Sequence, residues 1–208
     1  MYTPAHFAAP PPDALNRMLR DHPLGTLVHQ GPQGLDADHL PFLFDPQDGP
    51  LGTLSAHVAR ANPLWRTCAD GAPVLVIFRG ADGYVSPSWY PSKQDTHRHV
   101  PTWNYEAVHA HGKLKILDDE RYVRGLVARL TRQHEAGEPT PWRIGDAPAD
   151  FIDQLLRNIV GIRVEITALE GKSKLGQNRT VDDRLGAADR LAERGHHELA
   201  WRMRTPDT

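Results

Sequence analysis

Cysteine is nearly absent from this sequence, and its scarcity excludes several classes of protein. Cys68 is the only cysteine among 208 residues, so no disulfide can form within the chain and no cluster of cysteines can hold zinc. No apolar run approaches the roughly 20 residues that a membrane-crossing helix needs. The first twelve residues lack a basic segment followed by an apolar core, so they do not predict a signal peptide. We therefore expect a protein of the reducing cytoplasm, without a membrane partner.

The sequence also lacks an excess of either charge. Its 24 Lys and Arg residues against 26 Asp and Glu residues give a formal net charge of -2. A protein that reads DNA usually shows a basic face and an element that enters a groove, so DNA is a partner that neither charge nor motif supports. The chain has no dinucleotide-binding glycine motif, no P-loop and no nucleophile elbow. These absences leave no sign of a nucleotide hydrolase or a serine hydrolase.

Short apolar segments separated by Gly and Pro turns make up most of the chain, which is typical of a strand meander. We predict strands at 25–29, 35–44, 51–58, 74–78, 84–86, 102–117 and 162–168. Helices are expected at 13–21 and 61–70, after 118, after 148, from 181 to about 194, and at 196–204. Turns or loops are expected at 30–34, 45–50, 79–83, 137–145 and 169–179, and an extended arm at 1–12. We predict one domain over 1–208: a β-barrel of about six strands with peripheral helices, in which 181–208 form a C-terminal helical extension.

Aromatic and polar side chains are concentrated between Tyr84 and Leu114. This stretch holds two of the five tryptophans and four of the twelve histidines. Rings can stack on a planar ligand while amides and hydroxyls bond its edges, but a hairpin with aromatic corners has the same composition. His109 and His111 share one strand face, but lysines continue that face, so we expect a polar surface there and no metal site.

Two further segments have the chemistry to hold an anion. His57–Pro63 runs from a strand into a helix, where Arg60, Asn62 and free backbone N–H groups either bind a phosphate or merely cap the helix. Lys172–Arg179 is basic and rich in amides. It could contact a phosphate, a flavin edge or a nucleic-acid backbone, or be a solvated loop.

Six blocks of the sequence, in order, carry a family resemblance. They are residues 1–7 (MYTPAHF), 57–65 (HVARANPLW), 84–90 (YVSPSWY) with Lys93, 100–105 (VPTWNY), 108–112 (VHAHG) and 170–178 (EGKSKLGQN). Together they resemble the PaiB family, described as FMN-binding negative transcriptional regulators. The resemblance covers nearly the whole chain, and several blocks together are far more specific than any one of them.

The resemblance implies a six-stranded split β-barrel of the FMN-binding type, related to pyridoxamine-phosphate oxidases and flavin reductases. It implies a homodimer with FMN at the subunit interface. The backbone of one strand would follow the isoalloxazine, the next strand and helix start would hold the phosphate, and the partner would add aromatic and amide groups. The implied cofactor-binding residues are His39, Leu40, Pro41 and Phe42 for the ring, Ser55, His57, Arg60 and Asn62 for the phosphate segment, and Lys93, Trp103, Asn104, Lys174, Gln177 and Asn178.

Three functions remain open at this point. The first is an FMN-binding protein that represses transcription, directly or through a partner. The second is a flavin-dependent oxidoreductase in which His57, Lys93 and Trp103 lie nearest the chemistry, and the third is a dimer with an empty site. Relatives of this fold often carry Arg and Lys where this chain has His39 and Phe44, so haem is an alternative ligand to FMN.

Overall fold

A computed structural model describes residues 1–7 and 12–206 of the chain. Within that part lie seven strands: β1 (Leu24–Gly31), β2 (Gly34–Pro41), β3 (Leu43–Asp45), β4 (Thr53–Ala59), β5 (Pro73–Val85), β6 (Thr102–Leu117) and β7 (Ile159–Lys174). The α-helices are α1 (Pro12–Asp21), α2 (Leu64–Thr67), α3 (Lys93–Thr96), α4 (Glu120–His134), α5 (Ala149–Leu156), α6 (Val181–Glu193) and α7 (His197–Arg204). Short 3-10 helices form at Ala5–Phe7, Pro87–Trp89, Glu135–Gly137 and Ile144–Asp146. None of the helices in these residues is both long enough and apolar enough to cross a bilayer.

The seven strands form one sheet in the order β2-β1-β5-β6-β7-β4-β3. Its two edge strands, β2 and β3, are separated in the sequence only by Phe42. A sheet whose opposite edges are joined by one residue must curl back on itself, and this one remains unclosed between those edges. The fold is therefore the predicted split barrel with peripheral helices.

The expected strand over 35–44 is divided into β2 and β3, whereas the segments 74–78 and 84–86, which were expected separately, belong to the single strand β5. Phe42 leaves the ladder, and its N–H donates to the Pro23 carbonyl at 2.8 Å. Its side chain is 1 % exposed, so the break turns a large ring into the core. The apolar pattern of this segment cannot distinguish one bent strand from two strands that meet at a buried residue.

The described chain divides into two compact units, each built from separate segments. The first, called the barrel unit here, comprises Pro23–Ile77 and Ala110–Leu169. Its core takes alternate residues of β4 and β7, because strand side chains alternate between faces. The β4–β7 ladder runs from Thr53 opposite Glu165 to Ala59 opposite Ile159. The fully or almost fully buried members of this pair are Leu54, Ala56, Val58, Val160, Ile162 and Val164.

The second, called the helical unit, comprises Met1–His22, Phe78–His109 and the chain from Glu170 onward. Helices α6 and α7 pack together around the ends of β5 and β7, and Thr180 caps α6 by accepting the Asp183 N–H. Residues 8–11 of the predicted arm and residues 207–208 of the predicted extension lie outside the described residues. The single domain over 1–208 stays a prediction. The buried cluster of this unit is Val85, Tyr90, Leu175, Ala187, Ala188, Leu191, Leu199, Ala200 and Met203.

Three predicted segments differ from the structure for identifiable reasons. The turn predicted at 79–83 is wrong, because β5 continues through it: a Cβ on Gly80 would lie 3.2 Å from Glu106 Cβ, so that glycine permits close packing. The loop predicted from 169 is wrong as far as Lys174, where β7 ends. The helix predicted over 61–70 is only one turn, since Cys68 already has an extended backbone.

Candidate functional site

Of the residues predicted to contact the ring, 39–41 lie on β2 at the free edge of the barrel sheet. β2 pairs with β1 along its whole length, from Gly34 opposite Gly31 to Pro41 opposite Leu24, and no strand of the described chain pairs with its other side. Backbone groups on that side are therefore available to a ligand. His39 and Pro41 are exposed and Leu40 is half-buried, whereas Phe42 faces the core.

The carboxylate of Asp38 on β2 is hydrogen-bonded to Asn62, which lies just before α2. Asn62 Nδ2 donates to Asp38 Oδ1 at 2.6 Å, and His29 Nε2 lies 3.3 Å from Asp38 Oδ2. Asn62 Oδ1 accepts the N–H of Leu64, the first residue of α2, at 2.8 Å, although Pro63 occupies the N-cap position. His29, Asp38 and Asn62 line a cavity of about 540 Å³. The sequence patterns gave no sign of His29 or Asp38, because only the strand register brings them together.

Arg60 is engaged by protein groups through four hydrogen bonds. Its Nη1 and Nη2 donate to the two Asp118 oxygens at 2.9 and 2.6 Å, and Nε and Nη2 reach the carbonyls of Arg157 and Ile159 at 2.6 and 3.2 Å. The hydrogen bond to Asp118 raises the pKa of Arg60 and lowers the pKa of Asp118. A phosphate at Arg60 would compete with Asp118 for the same N–H groups. The phosphate role of Arg60 stays a prediction.

Ser55 and His57 lie on the face of β4 opposite the core-facing residues. Ser55 is buried, and its hydroxyl accepts a hydrogen bond from the Tyr122 hydroxyl at 3.1 Å. Burial lowers the pKa of His57, and the buried Nδ1 of this ring has no hydrogen-bond partner among the described residues. An unpaired buried nitrogen is costly, so a ligand that bonded it would be favoured.

The remaining predicted residues lie in the helical unit, where two of them meet. Lys174 Nζ donates to the Thr102 hydroxyl at 2.6 Å and to the Trp103 carbonyl at 2.8 Å, and burial lowers the pKa of Lys174. The Trp103 indole donates to Asp82 Oδ1 at 2.9 Å, yet 51 % of its surface is exposed. Its ring centroid lies 6.4 Å from that of Tyr84, so an aromatic surface is open there.

The other members of this predicted group are held by local contacts. Asn104 is buried, and its Nδ2 lies 3.4 Å from Met203 Sδ. Gln177 closes the turn after β7, accepting from the Leu175 N–H and donating to the Ser173 carbonyl. Lys93 donates to the Ser88 hydroxyl at 3.1 Å. Asn178 is exposed.

The barrel unit has unpaired polar groups that could bind a flavin ring, but its candidate phosphate-binding arginine is already bound by protein groups. An isoalloxazine carries donors and acceptors along one edge, and the free side of β2 presents backbone groups of both kinds. His57 Nδ1 is a further polar atom in need of a partner. The guanidinium expected to take the phosphate is instead bound by Asp118. The residues therefore fit the ring, and the protein groups that would bind the phosphate are not identified by these contacts.

Comparison with known proteins identifies the family to which this chain belongs. Residues 1–168 match the family described as "Putative FMN-binding domain". The Bacillus subtilis protease synthase and sporulation protein PAI 2 is 30% identical over 191 residues, which are 92% of this chain and 89% of that protein. An uncharacterized protein of Aspergillus fumigatus is 32% identical over 226 residues, which are 87% of each chain.

Solved structures show the same fold at low sequence identity. The FAD and heme binding protein from Mycobacterium smegmatis aligns with a TM-score of 0.59 at 19% identity, over 82% of this chain and 74% of that one. The flavocytochrome Anf3 from Azotobacter vinelandii aligns with a TM-score of 0.59 at 14% identity, over 82% and 70% of the two chains. The fold is thus the split barrel that these structures share. Within that fold, this chain belongs to the family described as "Putative FMN-binding domain", and it is related to the Bacillus PAI 2 protein, so the predicted resemblance is confirmed.

Proposed function

We propose that this protein is a homodimer that binds FMN at the free edge of β2 and acts as a negative regulator of transcription. The family match over residues 1–168 supports the cofactor. The observation that carries the proposal is the open strand edge at residues 39–41 in the same unit as the unpaired Nδ1 of His57. The regulatory role rests on the resemblance to the PaiB family alone.

The chain's own residues would bind and orient the ring. Backbone groups of β2 would bond the polar edge of the isoalloxazine, and His57, held neutral by burial, would use Nδ1 toward it. A second copy would bring Trp103, 51 % exposed, to cover the ring face, since aromatic side chains favour stacked or edge contacts. When bound, FMN would supply reversible hydride and electron transfer.

Titration with FMN and with riboflavin, followed by quenching of flavin fluorescence, tests this site. We expect saturable binding of both flavins, and His57→Ala should weaken both by about tenfold, equivalent to roughly one lost hydrogen bond. His134→Ala, at an exposed histidine of α4, is the matched control and should bind as the unchanged protein does. Failure to bind any flavin, or equal losses in the two variants, would overturn the proposed site.

The same titration decides the role of Arg60. If Arg60 holds the phosphate, Arg60→Ala weakens FMN but leaves riboflavin unchanged. If its four hydrogen bonds serve only the fold, the two flavins lose affinity equally and thermal stability falls.

A flavin-dependent oxidoreductase is the second candidate. The observation that favours it is the neutral, unpartnered His57 in the unit that carries the strand edge, because a neutral imidazole can accept a proton near pH 7. Oxidation of NADH or NADPH with FMN supplied would favour this enzyme, whereas retardation of promoter DNA without turnover would favour the regulator. Haem titration under the same conditions tests the alternative ligand, whose Soret band is readily distinguished from a flavin spectrum.

A further inference from the structure

The outer face of α4 carries a row of arginines that lack carboxylate partners. Arg121, Arg129 and Arg132 are exposed, and their spacing of eight and then three residues places them on one side of the helix. Within residues 1–7 and 12–206 no carboxylate lies within ion-pair distance of these three. Arg124, on a neighbouring face, is instead paired with Glu120 and Asp153. At 1.5 Å per residue the row is about 16 Å long.

Two acidic side chains at the ends of α4 accept hydrogen bonds from backbone groups. Asp119 caps α4 by accepting the Tyr122 N–H at 2.7 Å. Glu135, at the other end of the helix, accepts the Trp142 N–H at 2.9 Å. Among the described residues neither carboxylate forms an ion pair with the three arginines, so their guanidinium N–H groups remain open to a partner.

A groove with an aromatic wall continues from this row. It has a volume of about 390 Å³ and runs between the C-terminal half of α4 and the segment 141–144. Trp142 is 41 % exposed along it, and its backbone N–H is held by the hydrogen bond that it donates to Glu135. Ala128 and Arg132 line both this groove and a second, more open one beside Arg121 and Arg129, so the two grooves are neighbours on α4.

A glycine interrupts the row where packing does not require one. Gly125 lies inside α4, where glycine costs roughly 1 kcal/mol relative to alanine. A Cβ at this position would meet nothing within 4 Å. Its effect is to leave the helix backbone open between Arg121 and Arg129, so that a partner can approach closely.

We propose that this surface binds a single-stranded segment of nucleic acid. One guanidinium group can bind two phosphate oxygens at once through parallel N–H···O hydrogen bonds. An unpaired base can stack on an exposed indole ring. A row about 16 Å long is longer than one nucleotide, so its arginines can contact successive phosphates of one strand. A duplex keeps its bases stacked within the helix, so it would leave Trp142 and its groove unused. This site shares no residue with the proposed flavin site and does not depend on flavin binding.

Fluorescence anisotropy of a labelled oligothymidine, measured at several salt concentrations, tests the arginine row. We expect binding that weakens with salt, and Arg121→Ala/Arg129→Ala/Arg132→Ala should reduce the log–log salt slope by about 2, at roughly 0.7 for each lost phosphate contact. The matched control Arg20→Ala/Arg98→Ala/Arg190→Ala removes equal charge from exposed positions elsewhere and should leave the slope unchanged. Thermal unfolding of both variants checks that they fold.

Variants of Trp142 provide a second, independent test of the proposal. Trp142→Ala should weaken binding about tenfold or more at every salt concentration without changing the slope, and Trp142→Phe should recover most of the loss, because a phenyl ring still stacks. Repeating the titration with oligouridine shows whether the surface prefers RNA or DNA. Binding of either oligonucleotide supports the proposal. Binding of duplex DNA alone, equal competition by free thymidine monophosphate, the same loss in the charge control, or no binding at all would overturn it.

Discussion

At the scale of single residues, two buried imidazole nitrogens set the chemistry of the barrel unit. The Nδ1 atoms of His29 and His57 have no partner among the described residues. His29 is tied to Asp38 through its other nitrogen, whereas His57 has its pKa lowered by burial. Both rings lie on strands whose side chains alternate, so the sequence places them on a face but cannot reveal which polar atoms are left unpaired.

The lowered pKa of His57 predicts a loss of stability in mild acid. The unfolded chain takes up a proton near the ordinary histidine value of 6.5, but the folded chain resists protonation until a lower pH. Between those two values the unfolded state binds more protons, so the free energy of unfolding falls as pH falls. His57→Gln should remove this contribution, and urea unfolding between about pH 8 and pH 5 measures it. A variant whose stability falls with pH as steeply as that of the unchanged protein would contradict the assignment.

The residues predicted for the site have the expected chemical character, but several of them contact protein groups that the sequence did not indicate. Asn62 accepts the N–H of the first residue of α2, one position before the N-cap. Arg60 and Lys174 have the charge that a phosphate needs, yet their partners are Asp118 and the Trp103 carbonyl. Sequence spacing could not show this, because Asp118 is 58 positions from Arg60 and only the folded barrel brings the two side chains together.

At the scale of elements, two glycines show that packing can require glycine at one position and not at another. Gly161 on β7 lies under the Tyr122 ring, where a Cβ would approach Tyr122 Cε1 to 2.8 Å and the Leu117 carbonyl oxygen to 2.9 Å. Gly125 on α4 has open space around it. The sequence predicts α4 and β7 from their apolar periods, but it cannot tell a glycine that permits packing from one that packing does not need.

The same substitution at these two glycines should therefore shift stability in opposite directions. Gly161→Ala should lower the free energy of unfolding by about 1–3 kcal/mol, because backbone atoms must move to admit the methyl group. Gly125→Ala should raise it by about 0.5–1 kcal/mol through higher helix propensity. Thermal and denaturant unfolding of the pair provide the measurement, and shifts of equal sign would show that the packing around one of them is wrongly described.

Strand and helix periods account for most of the elements that were predicted correctly. The alternation over 102–117 coincides with β6, and the helical spacing over 13–21 matches α1 to within one residue. The errors fall where glycine or small polar residues continue a strand, as at Gly80 in β5 and Ser173 in β7. There the decisive factor is contact with Glu106, which lies 26 and 67 positions away.

At the scale of the whole molecule, the exposed aromatic surface predicts self-association. Trp103 and Tyr84 are 51 % and 45 % exposed, and their rings contact each other. Aromatic residues of this kind concentrate at the centres of interfaces. The split-barrel relatives led us to expect a homodimer, and a partner copy would cover these rings.

Trp103→Ser should therefore weaken dimerisation and flavin binding together. Removing a large aromatic contact from an interface centre commonly costs about 2 kcal/mol or more, so the dimer dissociation constant should rise by at least tenfold. Trp201→Ser, at an equally exposed tryptophan of α7, is the matched control and should change neither property. Sedimentation velocity over a range of protein concentrations measures the first effect and flavin titration the second. A monomeric unchanged protein would contradict the proposed assembly.

The free edge of β2 has one more consequence, which concerns aggregation. An unpaired strand edge is a template on which another chain can add a strand. β2 carries Asp36 and Asp38 along this edge and ends at Pro41, which has no N–H to donate. Carboxylates repel a second copy of the same strand, and the proline interrupts a continuous ladder. The edge can thus stay open to a small ring while its own sequence discourages the growth of fibrils from it.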